Sequence, residues 1–229
     1  MLLECVEGCR VLCYSIPCNF FEAVKNLLQL TGERVIPELM KPTNGMLLEH
    51  IARYYFSFPY VKGRVLDIAC GSGYGTHMVA KACKKEVKGV IGVDLDPQTV
   101  EYARKTYYHP LTEYRVVDAL DPELPQKLGC FDTILSFETI EHLQDDRLFM
   151  RHLHEMLAPG GTLVLSTPFG RGRGKPCKCP FHVHQLTPEE FAALFGGFRE
   201  TEIYYQRGVT IEPPREGLKY PLGVAVCQK

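Results

Sequence analysis

Short runs of β-branched and aliphatic residues alternate along this chain with stretches in which apolar residues recur every three or four positions. The runs are Arg64-Val65-Leu66-Asp67-Ile68-Ala69, Val90-Ile91-Gly92-Val93-Asp94, Tyr114-Arg115-Val116-Val117-Asp118, Asp132-Thr133-Ile134-Leu135-Ser136 and Gly161-Thr162-Leu163-Val164-Leu165-Ser166. Between them, residues 74–86, 97–107 and 144–157 read as helices, one opened by Pro97 and another stopped by Pro159-Gly160-Gly161. Upstream, Pro42-Thr43-Asn44 is a helix-start signal before Met46, Leu47, Ile51, Ala52 and Tyr55 at helical spacing. Strands that are almost wholly apolar and alternate with helices imply a parallel sheet covered on both faces. Two later runs, Glu202 to Tyr205 and Gly223 to Cys227, have no clear helix between them and predict a closing hairpin. The pattern is that of one α/β domain without internal repeats.

Composition narrows the class. The chain has 229 residues, 45% of them hydrophobic and 23% charged, enough apolar material for one sizeable core. No uninterrupted apolar run reaches the roughly 18 residues of a membrane helix, so no membrane partner is expected. With 26 Lys plus Arg against 27 Asp plus Glu, the net charge of −1 does not fit a protein that binds nucleic acid through general electrostatics. The first 30 residues lack a basic start, and Glu4, Glu7 and Arg10 interrupt their apolar stretch, so they do not read as a secretory signal. A cytoplasmic location is expected, with the ten cysteines reduced. Cys70, Cys83, Cys130 and Cys227 lie in apolar contexts and read as small core residues. Residues 1–30 are read as an appendage ahead of a domain spanning 31–229, and as dispensable, an over-long assigned start. Cys5, Cys9 and Cys13 recur there every four residues with Cys18 beyond Pro17, a spacing that matches no established metal motif.

The acids and glycines bring in chemistry. Asp67, Asp94 and Asp118 fall at or near the ends of three successive strands, where ligands of open α/β sheets bind. Cys70-Gly71-Ser72-Gly73-Tyr74-Gly75 follows the first strand, and glycines there let a ligand approach the backbone. The dinucleotide fingerprint is not met, because position 76 is threonine. Asp67 precedes Gly71 by four residues and is expected to aim at the loop, suiting an ammonium group. Asp94 is placed to accept from both hydroxyls of a ribose, and Asp118 from the exocyclic amine of a base. Ammonium, ribose and adenine together describe S-adenosylmethionine.

The segments VLDIACGSGYGT, VIGVDLDPQTVEYAR, VVDAL, FDTILSFETIEHL and LAPGGTLVLSTP, in this order, resemble the class I S-adenosylmethionine-dependent methyltransferases over most of the chain. The resemblance implies a Rossmann-like three-layer sandwich whose seven-stranded, mostly parallel sheet ends in an antiparallel strand. It implies that Asp67, Ala69, Gly71 and Gly73 hold the methionine end, that Asp94 grips the ribose with Leu95 against the adenine, that Asp118 and Ala119 meet the base edge, and that Phe137 also lines the cofactor. A nicotinamide dehydrogenase fits less well, lacking the third glycine and a Tyr-x-x-x-Lys pair. A silent S-adenosylmethionine-binding subunit is a further alternative, since fold and cofactor binding do not establish turnover.

A sulfonium methyl is already activated, so the enzyme must align a nucleophile and, for an alcohol, remove its proton. The candidates follow the fourth strand: Glu138, Glu141 and His142. A helical turn there would set Glu138 against Glu141 and His142 on one face. Three readings stand: acids that only stabilise a helix start, a His142 base oriented by a glutamate, or a divalent site of Glu138, Glu141 and His142 binding Mg²⁺ or Mn²⁺. Glu-x-x-Glu-His resembles the metal motif of ubiquinone-pathway and small-RNA O-methyltransferases, and His182 or His184 would complete it. Cys177, Cys179, His182 and His184 are too cramped for one tetrahedral zinc site and read as a loop. Residues 170–178 carry four cations and no acid, fitting either a solvated connection or a lid.

Residues 31–38 and 49–54 resemble bacterial methyltransferases found among glycan and cell-surface polysaccharide genes, which makes Arg34, His50, Arg53 and Tyr54, with His184, substrate-side candidates. The expected reaction is O-methylation of a sugar or glycan hydroxyl or a related small molecule, with a quinol-like phenol second and an RNA ribose third.

Overall fold

A computed structural model describes Leu28, residues 32–177 and residues 179–229. The four-residue recurrence of Cys5, Cys9 and Cys13, with Cys18 beyond Pro17, and the appendage boundary at residue 30 lie outside these described residues. Leu28 itself is buried in a small cluster with Ile36 and Tyr102.

The strands are β1 (Gly63–Ile68), β2 (Val87–Asp94), β3 (Thr112–Val116), β4 (Phe131–Phe137), β5 (Leu157–Pro168), β6 (Glu200–Arg207), β7 (Thr210–Glu212) and β8 (Leu222–Gln228). The helices are α1 (Gly45–Ser57), α2 (Tyr74–Ala82), α3 (Pro97–Thr106), α4 (Leu124–Leu128), α5 (Asp146–Met156) and α6 (Pro188–Ala193). All eight strands form one sheet in the order β3-β2-β1-β4-β5-β8-β6-β7. Pairing is parallel from β3 to β5 and antiparallel at β5–β8, β8–β6 and β6–β7. The closing hairpin therefore exists, and one strand more than the seven expected: β7 folds back from β6 at the sheet edge. Three residues with mixed burial left no apolar run in the sequence to announce it.

Both faces of the sheet are covered, because successive side chains of each strand alternate between two cores. Leu66, Ile68, Ile134, Leu163, Leu165, Ala225 and Cys227 point into one, packed by Phe149, Leu153 and Met156 of α5. Val65, Leu135, Val164, Val224 and Val226 point into the other, packed by Leu47 and Tyr54 of α1 and Val79 and Ala80 of α2. Each fully buried Val, Leu, Ile, Phe or Met among these contributes about 1.5–3 kcal/mol relative to exposure. Asn44 caps α1, its side chain accepting from the Leu47 amide at 3.1 Å, as the helix-start signal predicts.

Some boundaries move. The helix expected over 74–86 ends at Ala82, because β2 must begin at Val87 to pair with Gly63. The Pro159-Gly160-Gly161 stop lies within β5, where the Gly160 amide donates to the Lys229 carbonyl. α6 was not anticipated, although Thr187 and Glu190 form a reciprocal capping box at its start. Of the four cysteines expected in the core, Cys70, Cys83 and Cys227 are buried, but Cys130 is exposed, in the turn that leads into β4.

Candidate active site

The sheet order reverses between β1 and β4, the crevice where open α/β sheets bind ligands. A cavity of about 340 Å³ opens there, bounded by Arg34 and Val35, by His50 and Tyr54 of α1, by Ala69, Cys70, Gly71 and Ser72 after β1, by Asp94, and by Phe137 and Glu138 after β4. Among the described residues, only Ala69 (φ 58°) and Glu138 (φ 49°) are non-glycines in the left-handed region, and both sit on this wall. Backbone of that kind costs about 1–3 kcal/mol and persists where the surroundings force it, commonly at functional sites.

Asp94 ends β2 with its carboxylate at the loop. Its Oδ2 accepts from the Gly71 amide at 2.9 Å and its Oδ1 from the Asp96 amide at 3.0 Å. Each oxygen keeps a lone pair, so the group fits a pair of ribose hydroxyls. Burial raises the pKa of Asp94, and the two amide bonds oppose that rise. Arg34 is tied to neighbouring Asp96 at 2.9 Å.

Asp67 departs from its expected role. It is buried behind the loop, where Thr76 Oγ1 donates to Oδ2 at 2.6 Å and Tyr54 Oη lies 3.1 Å from the same oxygen, so it does not line the cavity. Burial lifts its pKa to about 7 against those hydrogen bonds. Gly73 is likewise structural: a Cβ there would stand 2.6 Å from the Ala103 Cβ. Leu95 is 66% exposed, while Asp118 is exposed with its Oδ1 accepting from the Leu120 amide at 2.8 Å. The Ala119 carbonyl contacts His152 Nδ1 at 3.1 Å. Leu95, Asp118 and Ala119 line no part of the cavity.

A second cavity of about 240 Å³ adjoins the first, bounded by Gly32, Glu33, Met46, His50, Glu138, His142, Pro168 and His182. Glu33, His50, Glu138 and His142 line both. At this junction the structure re-pairs the expected catalytic residues. His142 follows β4 in a short 3-10 turn over Ile140–His142, not in an α-helical turn that would align it with Glu138. Glu138 instead meets His50 Nε2 at 3.0 Å and the buried Arg53 guanidinium. Burial works against its charge, but Arg53 and His50 overcome this and hold the carboxyl at about 2. Arg53 in turn donates to Gln206 Oε1 on β6 at 2.7 Å. It is therefore a buried support of Glu138, and it lines neither cavity, contrary to the substrate-side expectation.

Glu141 points away into the core, fully buried, with Oε2 accepting from Thr167 Oγ1 at 3.0 Å and Oε1 without a hydrogen-bond partner. Burial, reinforced by the Glu138 charge, raises its pKa well above the usual range and favours the protonated acid. The expected set of Glu138, Glu141 and His142 therefore does not converge on one point. What converges instead is Glu33, His142 and His182, each offering one donor atom within 4.8 Å of the others. Glu33 was not anticipated, since it lies more than 100 positions before His142 with no local motif around it. His184 leaves the site and packs with Nε2 3.5 Å from Asp146, which also pairs with Arg173. Arg173 thereby pins the basic loop to α5, and no residue of 170–177 lines either cavity.

No helix among the described residues is long and apolar enough to cross a membrane. A family model described as a methyltransferase domain matches residues 66–165. A probable S-adenosylmethionine-dependent methyltransferase of Mycolicibacterium smegmatis is 34% identical over 177 residues, 75% of this chain and 65% of that relative. A ubiquinone biosynthesis O-methyltransferase of Xanthomonas campestris is 37% identical over 111 residues, 45% of this chain and 42% of its own length. The chain thus spans less than two thirds of each of these relatives. In fold it is similar to the N-methyltransferase NodS of Bradyrhizobium japonicum in complex with S-adenosyl-L-homocysteine, with a TM-score of 0.62 at 17% identity over 92% of this chain and 98% of that one.

Proposed function

We propose that this chain is a class I S-adenosylmethionine-dependent methyltransferase and that it methylates a hydroxyl of a small polyhydroxylated acceptor, a sugar or glycan unit, with His50 as general base. S-adenosylmethionine, when bound, supplies a sulfonium methyl that needs no further activation. Asp94 would hold its ribose, and the strained turn at Ala69–Gly71 would bring backbone close to its methionine end.

The observation that carries the reading is the shared wall. Because Glu33, His50, Glu138 and His142 border both cavities, an acceptor in the smaller one lies against a donor in the larger. Glu138 holds one ring nitrogen of His50, which leaves the other to take the hydroxyl proton as the oxygen attacks. Arg53 keeps Glu138 ionised, so the imidazolium that forms meets a charge already in place.

The acceptor class follows from the lining. Five of the eight residues of the smaller cavity, Glu33, His50, Glu138, His142 and His182, are hydrogen-bonding side chains. That suits a ring of hydroxyls better than a quinol with an apolar tail. Two carboxylates at its wall oppose an RNA backbone. In a methyl-transfer assay over sugar, phenol and RNA acceptors, a sugar should be turned over fastest. His50→Ala should lower kcat by about 10²–10⁴-fold and leave S-adenosylhomocysteine affinity within about threefold. Undiminished turnover by His50→Ala removes the base assignment, and preference for a phenol or RNA removes the acceptor class.

A further inference from the structure

We infer that Glu33, His142 and His182 form a binding site for a first-row divalent ion of the Zn²⁺ class. The three residues come from separate segments: the stretch before α1, the turn after β4 and the loop before α6. Their donor atoms nevertheless fall within 4.8 Å of one another. Glu33 Oε1 lies 3.0 Å from His182 Nε2, and Oε2 lies 3.7 Å from His142 Nε2. Both imidazoles thus turn the same nitrogen to the carboxylate, and the rings meet edge to face at 4.8 Å between centroids.

The surrounding bonds suit ligation. His142 Nδ1 lies 3.0 Å from the Phe181 carbonyl, which can only accept. The proton therefore sits on Nδ1, and the Nε2 lone pair faces the cluster. His182 Nδ1 lies 3.1 Å from the Gln185 side-chain amide. Turning that amide end for end lets its oxygen accept from Nδ1–H and frees Nε2 in the same way. The Cys179 thiol donates to Glu33 Oε1 and holds the carboxylate in place.

Two imidazoles with one carboxylate are the donor set of open zinc sites. Mg²⁺ takes oxygen ligands in octahedral geometry, so a site with two nitrogen donors selects against it. Of the ligands expected from the sequence, His142 and His182 remain. Glu33 takes the place of Glu138, which is held by Arg53, and of Glu141, which points into the core.

All three residues line the smaller cavity, so an ion held there would face the acceptor; that catalytic meaning rests on the proposed function, whereas ion binding itself does not. The test uses the purified full chain, stripped with chelator and titrated with Zn²⁺, Co²⁺ and Mg²⁺ by calorimetry, with S-adenosylhomocysteine binding measured separately. The native chain should bind one more equivalent of Zn²⁺ or Co²⁺ than Glu33→Gln and His182→Ala, or bind it at least tenfold more tightly, while Mg²⁺ gives no comparable heat. Ring-proton NMR of the native chain should show two of its eight histidines shifting with that equivalent, a readout that needs no variant to fold. Equal Zn²⁺ binding by native and variant chains, preference for Mg²⁺, or no shift of His142 and His182 overturns the inference. Retained S-adenosylhomocysteine binding in any of those cases leaves the methyltransferase reading standing. Zn²⁺ binding at the three residues without S-adenosylhomocysteine binding does the reverse.

Discussion

At the scale of single residues, the buried acids behave in opposite ways, and each gives a pH signature. Asp67 has a folded pKa of about 7, above the ordinary unfolded carboxyl at about 4. Its neutral form therefore stabilises the fold fully below about pH 4, and that contribution is lost as pH rises towards and through about 7. Asp67→Asn should flatten this fall in urea midpoints between pH 4 and 7; a native chain whose midpoint rises steadily across the window contradicts the assignment. Glu138, held at about 2, works the other way, with stability present above about pH 4.5 and lost as pH falls towards 2. Arg53 is its buried partner, but Glu138 itself is partly exposed at the cavities and keeps His50. Losing Arg53 should therefore cost about 1.5–3 kcal/mol, as for a charged hydrogen bond, rather than the larger penalty of a fully buried pair. Arg53→Ala should show that loss in denaturant unfolding at pH 7, and should also lower kcat by freeing Glu138 from His50. Glu141 differs again, because its raised pKa favours the neutral acid. Glu141→Gln should therefore leave the thermal midpoint at pH 7 within a few degrees of native.

At the scale of elements, the turn from β1 into α2 and the helix α1 are fitted to each other at Tyr54. A Cβ on Gly75 would stand 1.8 Å from Tyr54 Cζ, so that ring lies directly on the helix backbone. The same ring packs edge-on against Phe137 at 4.9 Å and Tyr74 at 5.6 Å, and its hydroxyl reaches Asp67. Gly75→Ala must push Tyr54 out of this arrangement. It should cost about 1–3 kcal/mol, as overpacking does, and weaken S-adenosylhomocysteine binding, read by urea unfolding and calorimetry; unchanged values in both would show that Tyr54 can move freely. Gln206 of β6 fastens the other end of α1, donating to the Glu49 carbonyl at 3.0 Å while accepting from Arg53. Helix α1 thus carries His50 to the site on supports drawn from β1, β4 and β6.

At the scale of the molecule, one sheet divides two cores and opens at its order reversal, and both cavities sit beside that opening. A ligand that binds only the folded state stabilises it by about 2.7 kcal/mol at a hundredfold excess over Kd. For a domain of this size each kcal/mol moves Tm by about 2–4 °C. S-adenosylhomocysteine at that excess should raise Tm by roughly 5–11 °C, and the shift should shrink in Asp94→Ala. An unchanged Tm at saturating ligand would show that the cavity does not bind the cofactor.

The sequence by itself determined the alternation of strand and helix, the buried character of both sheet faces, and the position of Asp94 at a strand tip. These follow from local periodicity and from turn residues next to the strands they end. Tertiary structure decided the partners. Glu138 looked like a partner of His142 because four positions separate them, yet with left-handed backbone at Glu138 and a 3-10 turn at Ile140–His142 the two side chains border the same cavities and pair with different groups. Glu138 finds His50 and Arg53 on α1, and His142 finds Glu33, all far off in the chain. Periodicity reports which face of an element is buried; which charge lies opposite depends on how separate elements dock, and no short window of sequence contains that.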